Sequence, residues 1–154
     1  MKNYILLAIT AFTFTSCINV KINNEEGLNK VYANHKNSNI SAKGTYFENG
    51  VVDSDWSNEN SSNATKAKFK KANGVSYIKL NTKKKVEVEF HHQVKLEGNI
   101  KFEIVDATKN IVFQRDLSQN SDENFELKLN EGEYTIRWDA KNAKGSYFLE
   151  WKEK

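Results

Sequence analysis

Apolar and polar residues alternate along residues 85–97, KVEVEFHHQVKLE. Successive side chains of a β-strand point to opposite sides, so this period of two predicts a strand with one buried and one solvated face. The apolar phase contains Val86, Val88, Phe90, His92, Val94 and Leu96. Similar phases occur in residues 99–106, 110–117, 125–129, 134–138 and 147–151. Ile111, Trp138 and Trp151 fall in these phases and are predicted to face the core.

Turn signals separate the predicted strands. Residues 107–110, 130–132 and 142–145 are rich in Asn, Gly and Lys, and Asn73-Gly74 predicts a two-residue hairpin between strands at 66–72 and 75–80. Residues 44–48 and 51–52 are weaker strand candidates. No helical period follows the N-terminal segment, so the pattern predicts an all-β fold. We expect an antiparallel β-sandwich of jelly-roll type with eight or nine strands over residues 44–154.

The N-terminus begins with Met1-Lys2-Asn3 and continues as an apolar run of 11 residues, 4–14. A helix of that length spans about 16 Å, short of the roughly 30 Å hydrocarbon core, so a secretory signal segment fits better than a membrane span. The alternative is an apolar strand or buried helix of a cytosolic domain. The position of Cys17, the chain's only cysteine, directly after a small residue favours the signal segment.

Phe14-Thr15-Ser16-Cys17 resembles a bacterial lipobox, with Phe14 in place of the usual leucine. The resemblance implies cleavage after residue 16 by signal peptidase II and a diacylglycerol on Cys17. It predicts a protein anchored by lipid outside the cytoplasm, at the cell membrane or outer membrane. Residues 18–43 contain seven asparagines and no clear period, so residues 17–43 are predicted to be the lipidated N-terminus and a flexible tether.

The pattern Leu129-x-x-Gly132-x-Tyr134-x-Ile136, followed by residues 143–149 (AKGSYFL), resembles the closing strands of small secreted β-sandwiches. Pre-peptidase C-terminal domains and carbohydrate-binding-module-like jelly rolls share this style. The resemblance implies a fold and transfers no functional residue.

Composition excludes several classes of function. Hydrophobic residues make up 38% and charged residues 28% of the 154 residues, which excludes a multi-span membrane protein. One cysteine excludes an intramolecular disulfide. Lys and Arg total 23, but only Arg115 and Arg137 are arginines, which argues against a nucleic-acid partner.

The sequence favours binding over catalysis. It has no G-x-S-x-G element, and its three histidines offer few general bases. His91 and His92 are adjacent on a strand and therefore face opposite sides, so they cannot chelate one metal ion. His92, in the apolar phase, is interpreted as a hydrogen-bonded core or rim residue.

The loop VDSDWSNEN supplies the candidate ligand site. Trp56 is predicted to be exposed there as an aromatic platform for a glycan, flanked by Asp53 and Asp55. Those carboxylates could also hold Ca²⁺, although a solvated acidic loop is the more common outcome. No other cofactor is expected.

Residues 66–85 hold eight lysines and no acid. Seven of them form the candidate contact with an anionic surface: Lys66, Lys68, Lys70, Lys71, Lys83, Lys84 and Lys85. The alternative is a solvated hairpin whose lysines protect a sheet edge. Together these features predict a membrane-anchored lipoprotein with a non-enzymatic binding or structural sandwich. A glycan-binding surface module and an envelope enzyme or enzyme inhibitor are the alternatives, with an envelope protein as another possible partner.

Overall fold

The computed structural model describes residues 38–48 and 56–154. These residues form seven antiparallel strands: β1 (Ile40–Glu48), β2 (Ser57–Asn60), β3 (Ala64–Thr82), β4 (Val86–Asp106), β5 (Ile111–Leu117), β6 (Ser121–Leu129) and β7 (Gly132–Glu153). Within this part of the chain, no helix has the length and apolar character needed to cross a membrane. The predicted signal peptide 1–16, Cys17, and Asp53 and Asp55 lie outside the described residues.

Strands β3, β4 and β7 are long, with 19, 21 and 22 residues, and each is interrupted near its middle by a shift of register. The predicted hairpin at Asn73-Gly74 and the predicted turn at 142–145 are therefore wrong, because the chain continues through both as a bulged strand. Asn73 links the interrupted regions of β3 and β7, since its Oδ1 accepts a 2.8 Å hydrogen bond from the Asn142 backbone N–H. The sequence pattern predicts that the strands end at these turn-forming residues. In the structure the same residues bend strands that continue.

Two glycines show why the bulges need residues without a side chain. Gly98 and Gly145 have φ values of 95° and 143°. A Cβ on Gly98 would lie 2.3 Å from the backbone oxygen of Asn142, and one on Gly145 would lie 1.9 Å from that of Lys95. The paired strands β4 and β7 bend together at these bulges. Their backbones approach so closely there that only glycine fits.

The bent strands pass through two layers. Sheet I has the order β3–β7–β4–β6, with β2 outside β3, and uses residues 64–69 of β3, 145–153 of β7 and 86–97 of β4. Sheet II has the order β3–β7–β4–β5, with β1 outside β3, and uses the other halves of the same strands. Four segments in each layer, with β1 and β2 added at the edges, follow these two orders and make a jelly roll. The predicted all-β, antiparallel sandwich is confirmed, with seven strands in the described residues where the sequence predicts eight or nine.

The core lies between the two sheets, where the apolar phases meet. Trp138 of sheet II stacks on Tyr147 of sheet I with ring centroids 4.1 Å apart, and Phe113 of β5 stacks on Phe125 of β6 at 3.9 Å. The predicted burial of Trp138 and Trp151 is confirmed. Ile111 is an exception: it is 55% exposed, because the register of the β4–β5 ladder shifts between Ile111 and Phe113.

The first strand begins before the predicted start of the sandwich at residue 44. Ile40 pairs with Thr82 of β3, and the side chains of Ile40 and Ala42 are buried in the core. The last four residues assigned to the tether by the sequence pattern thus form the edge of sheet II.

Candidate functional site

Trp56 packs into the rim of the sandwich. Its ring stacks on Phe69 at a centroid distance of 5.2 Å and meets Phe47 and Tyr147 edge to face. The side chain is half-buried, which differs from the exposed platform predicted from the polar loop. Neighbouring aromatic rings remove the indole from water, and local loop composition does not reveal such long-range partners. The described residues provide no acceptor for its buried Nε1–H.

The lysine-rich stretch does not form one basic hairpin. Lys66, Lys68 and Lys70 alternate along the outer side of sheet I, and Lys71 follows at the bulge. The other three predicted lysines, Lys83, Lys84 and Lys85, lie between β3 and β4, beyond the sheet II half of β3. The run is divided between the two layers because β3 bends in its middle.

The histidine pair divides between the two sides of β4, as predicted. His92 is fully buried, and its Nε2 accepts a hydrogen bond from the Trp138 indole N–H at 3.2 Å. Burial, with a smaller contribution from His91, lowers the pKa of His92 to about 3. His91 lies on the outer side of sheet I, 2.8 Å from an Asp122 oxygen. No group of three metal-ligating side chains is close enough to hold an ion within residues 38–48 and 56–154.

The outer side of sheet II carries an aromatic and charged row. Tyr46 pairs with Tyr77, Tyr77 with Arg137, and Arg137 with Glu103, across four adjacent strands. The two tyrosine rings stack with centroids 5.4 Å apart, and Tyr46 is 38% exposed. We call this row, together with Glu48 and Lys101, the tyrosine face.

Each positive charge on the tyrosine face lies beside acidic groups. Glu103 is only 7% exposed and lies 2.6 Å from the Lys101 ammonium and 3.8 Å from the Arg137 guanidinium. Arg137 also faces Glu48 at 3.5 Å. The hydrogen bond to Glu103 raises the pKa of Lys101. Both Arg137 distances are too long for strong hydrogen bonds, so its guanidinium keeps donor capacity beside the tyrosine rings.

A groove lies on the outer side of sheet I. Its volume is about 320 Å³, and it is lined by Ser57, Glu59, Lys66, Ala67, Lys68, Gln93, Lys95, Ser146, Tyr147 and Phe148. Lys68 and Lys95 flank Ser146 across three strands, and Lys66 and Gln93 flank Phe148 in the next row. We call this feature the lysine groove.

The sequence pattern predicts Trp56 as the aromatic site residue, whereas the outer faces present other aromatic residues. Tyr77 and Phe148 occupy the polar phases of β3 and β7, since their neighbours Ile78 and Leu149 are buried. An aromatic residue in the solvated phase of a strand is the signal that could have found them. Arg137 and Glu103 give no such signal, because charged residues are expected in that phase.

Comparison with known proteins gives structural similarity alone. No family model and no curated protein matches the chain. A solved structure described as "CBM4 structure and function" has a TM-score of 0.44 and 7% identity, covering 70% of this chain and 80% of that one. CBM35 from Paenibacillus barcinonensis has a TM-score of 0.42 and 13% identity, with coverages of 76% and 98%. The secreted serine protease VesC from Vibrio cholerae has a TM-score of 0.44 and 12% identity, covering 75% of this chain and 25% of that one.

Proposed function

We propose that this jelly-roll sandwich is a glycan-binding module that acts through the tyrosine face. The observation that carries the proposal is the row of stacked Tyr46 and Tyr77 beside Arg137. Aromatic rings pack against the C–H faces of pyranose rings, and a guanidinium donates hydrogen bonds to sugar hydroxyls. The row therefore offers both kinds of contact that a sugar needs.

The charge balance of the tyrosine face favours an uncharged glycan. Arg137 and Lys101 lie against Glu103 and Glu48, and Lys101 also pairs in register with Asp116 and Asp139, so the face presents no excess of positive charge. A neutral polysaccharide would exchange contacts with these groups without bringing an unpaired charge. The site lies on paired strands, whose positions are fixed by the sheet on both sides of Tyr77 and Arg137.

Calorimetry of the full chain against neutral polysaccharides, namely a β-glucan, a xylan, a mannan and starch, tests the proposal. We expect one of them to bind and Tyr77→Ala to lower its affinity about tenfold or more, as expected for an aromatic anchor. Phe148→Ala is the matched control, because it removes a half-buried aromatic from the other sheet. Absence of binding by all four polymers, or equal affinity for wild type and Tyr77→Ala, would overturn the proposal.

The module is further proposed to be a lipoprotein, held outside the cytoplasm by a lipid on Cys17. The support is the lipobox resemblance of residues 14–17 and the position of the only cysteine. Membrane fractionation and the mass of the N-terminal peptide test this in wild type and Cys17→Ala. An acylated chain that begins at Cys17 and needs it for membrane attachment is expected. A soluble wild-type chain with Met1 intact would refute the anchor and leave the glycan proposal standing.

A further inference from the structure

The lysine groove differs from the tyrosine face in its charge. Lys66, Lys68 and Lys95 contribute three positive charges to its lining, against one negative charge from Glu59. Its volume of about 320 Å³ falls in the range of small-ligand sites, roughly 300–1,000 Å³. The lysine groove is therefore large enough for a small ligand and has a net positive charge.

Two of these lysines have no acidic partner among the described residues. Lys66 forms a 2.8 Å ion pair with Glu59, and Lys144, on the neighbouring strand, forms one of 3.1 Å with Glu97. Lys68 and Lys95 form no such pair in the described part of the chain. Register places them on either side of Ser146, about 10 Å apart at two inter-strand spacings. An anionic group bound over Ser146 would meet both ammonium groups.

The remaining lining suits a sugar ring. Phe148 is half-buried and meets the His91 ring edge to face. Its ring also forms part of the groove surface. Ser57 and Ser146 bring hydroxyl groups. Gln93 donates its amide N–H to Asp122 at 2.9 Å, so its carbonyl oxygen can accept from a hydroxyl group.

These features decide between classes of anionic ligand. A bilayer presents a broad plane of headgroups and needs no aromatic floor, whereas this groove combines its lysines with a ring and hydroxyl groups. Nucleic-acid recognition relies on arginine, and neither Arg115 nor Arg137 lines the groove. We infer that the lysine groove is a second binding site that takes an acidic polysaccharide, with its anionic group between Lys68 and Lys95. This inference does not depend on the tyrosine face.

Binding of the full chain to two matched polymer pairs tests the inference. Polygalacturonate is compared with its methyl ester, and dextran sulfate with dextran, so that each pair differs in charge on one backbone. We expect at least one charged polymer to bind about tenfold more tightly than its neutral counterpart at low salt. The pair that responds identifies carboxylate or sulfate as the anion. Equal binding within both pairs would overturn the inference.

Variants separate a built site from general attraction between charges. Lys68→Gln/Lys95→Gln is expected to lower the affinity about tenfold, and Lys128→Gln/Lys152→Gln, on exposed positions of sheet I outside the groove, to leave it unchanged. Phe148→Ala should weaken polysaccharide binding severalfold, because the ring packs on the sugar. Equal losses from both lysine pairs, or full affinity in Phe148→Ala, would contradict the inference.

Single-stranded DNA and vesicles of anionic phospholipid are the competing probes. We expect both to bind more weakly than the preferred polysaccharide and to be insensitive to Phe148→Ala. Tighter binding of either probe through Lys68 and Lys95 would assign the groove to that class and refute the polysaccharide. Because Tyr77→Ala leaves the groove intact, a loss confined to the lysine and Phe148 variants distinguishes this site from the tyrosine face.

Discussion

The two outer faces of the sandwich are built on matching strand orders and present different chemistry. Sheet II offers stacked tyrosines beside an arginine whose charge is balanced by glutamates, and sheet I offers a phenylalanine among lysines, two of them without acidic partners in the described part. Both faces use the solvated phases of β3, β4 and β7, the three strands that the layers share. The buried phase specifies the fold, and the outer phase is free to carry a different ligand chemistry on each layer.

The largest expected effect is a loss of folding stability that disrupts both faces together. Gly145→Ala places a Cβ 1.9 Å from the Lys95 backbone oxygen, where the strands bend between layers. We expect the free energy of unfolding to fall by about 3 kcal/mol or more, from steric overlap and backbone strain. Gly132→Ala is the control, because its φ is 144° but its Cβ would meet nothing within 4 Å. Denaturant unfolding that gives equal losses for both variants would disprove this account of the bend.

Acid is expected to weaken the junction between the layers, and so both faces together. His92 of sheet I is neutral when folded, with a pKa of about 3, and has an ordinary pKa of 6.5 when unfolded. As the pH falls below about 6.5, His92 therefore binds a proton in the unfolded chain but not in the folded chain. The free energy of unfolding should fall by up to about 1.4 kcal/mol per pH unit toward the folded pKa, and the loss should level off below it.

Denaturant unfolding at pH 7 and pH 5 measures this slope. His92→Gln retains an acceptor for the Trp138 indole and does not titrate, so its slope should be shallower. Asp106 and Asp122 do not interfere, since hydrogen bonds lower their pKa values from 3.8 and away from this window. A slope unchanged in His92→Gln would contradict the prediction.

Arg137→Lys sharpens the contrast between the faces without changing charge. A lysine cannot reproduce the planar set of donors, so the affinity for the neutral glycan should fall about tenfold in calorimetry. Arg115→Lys replaces the chain's other arginine, which lies over Phe113 on the exposed strand β5. It should leave glycan affinity unchanged. Equal effects of the two substitutions would remove Arg137 from the site.

Raising the salt concentration is expected to change ligand affinity least at the tyrosine face and more at the lysine groove. Raising the ionic strength from about 0.05 to 0.5 M shortens the range of charge interactions, so acidic polysaccharide binding should weaken markedly. Neutral glycan binding should change less than about twofold, because its contacts carry no net charge. Titrations at both concentrations measure the difference. An equally steep salt dependence at both sites would contradict the division of chemistry between the faces.

Sequence periodicity predicted which residues are buried better than where strands end. The apolar phases at Phe102, Trp138 and Leu149 are all buried, because alternation directly reports the two sides of a strand. The continuity of β3 and β7 through 73–74 and 142–145 was not predictable in the same way. The same Asn and Gly residues suit a hairpin and a bulge, and only the neighbouring strand decides between them.

The candidate sites were less predictable, because they depend on pairing between distant segments. Tyr46 and Tyr77 lie 31 positions apart and meet only through the β1–β3 register, and Arg137 joins them through β7. Trp56 shows the reverse case, since a polar loop sequence concealed its contact with Phe69. Lys66 and Lys68 were identified from composition, but their partner Lys95 comes from another strand.

Chemical-shift mapping shows directly whether a neutral glycan binds at the tyrosine face. Isotope-labelled full chain is titrated with a short oligosaccharide of the polymer that binds in calorimetry, and backbone amide chemical shifts are followed. We expect changes centred on the amides of Tyr46, Tyr77, Arg137 and Glu103, with those of Lys68 and Phe148 unaffected. Changes centred on sheet I, or none near Tyr77 at saturating ligand, would contradict this prediction.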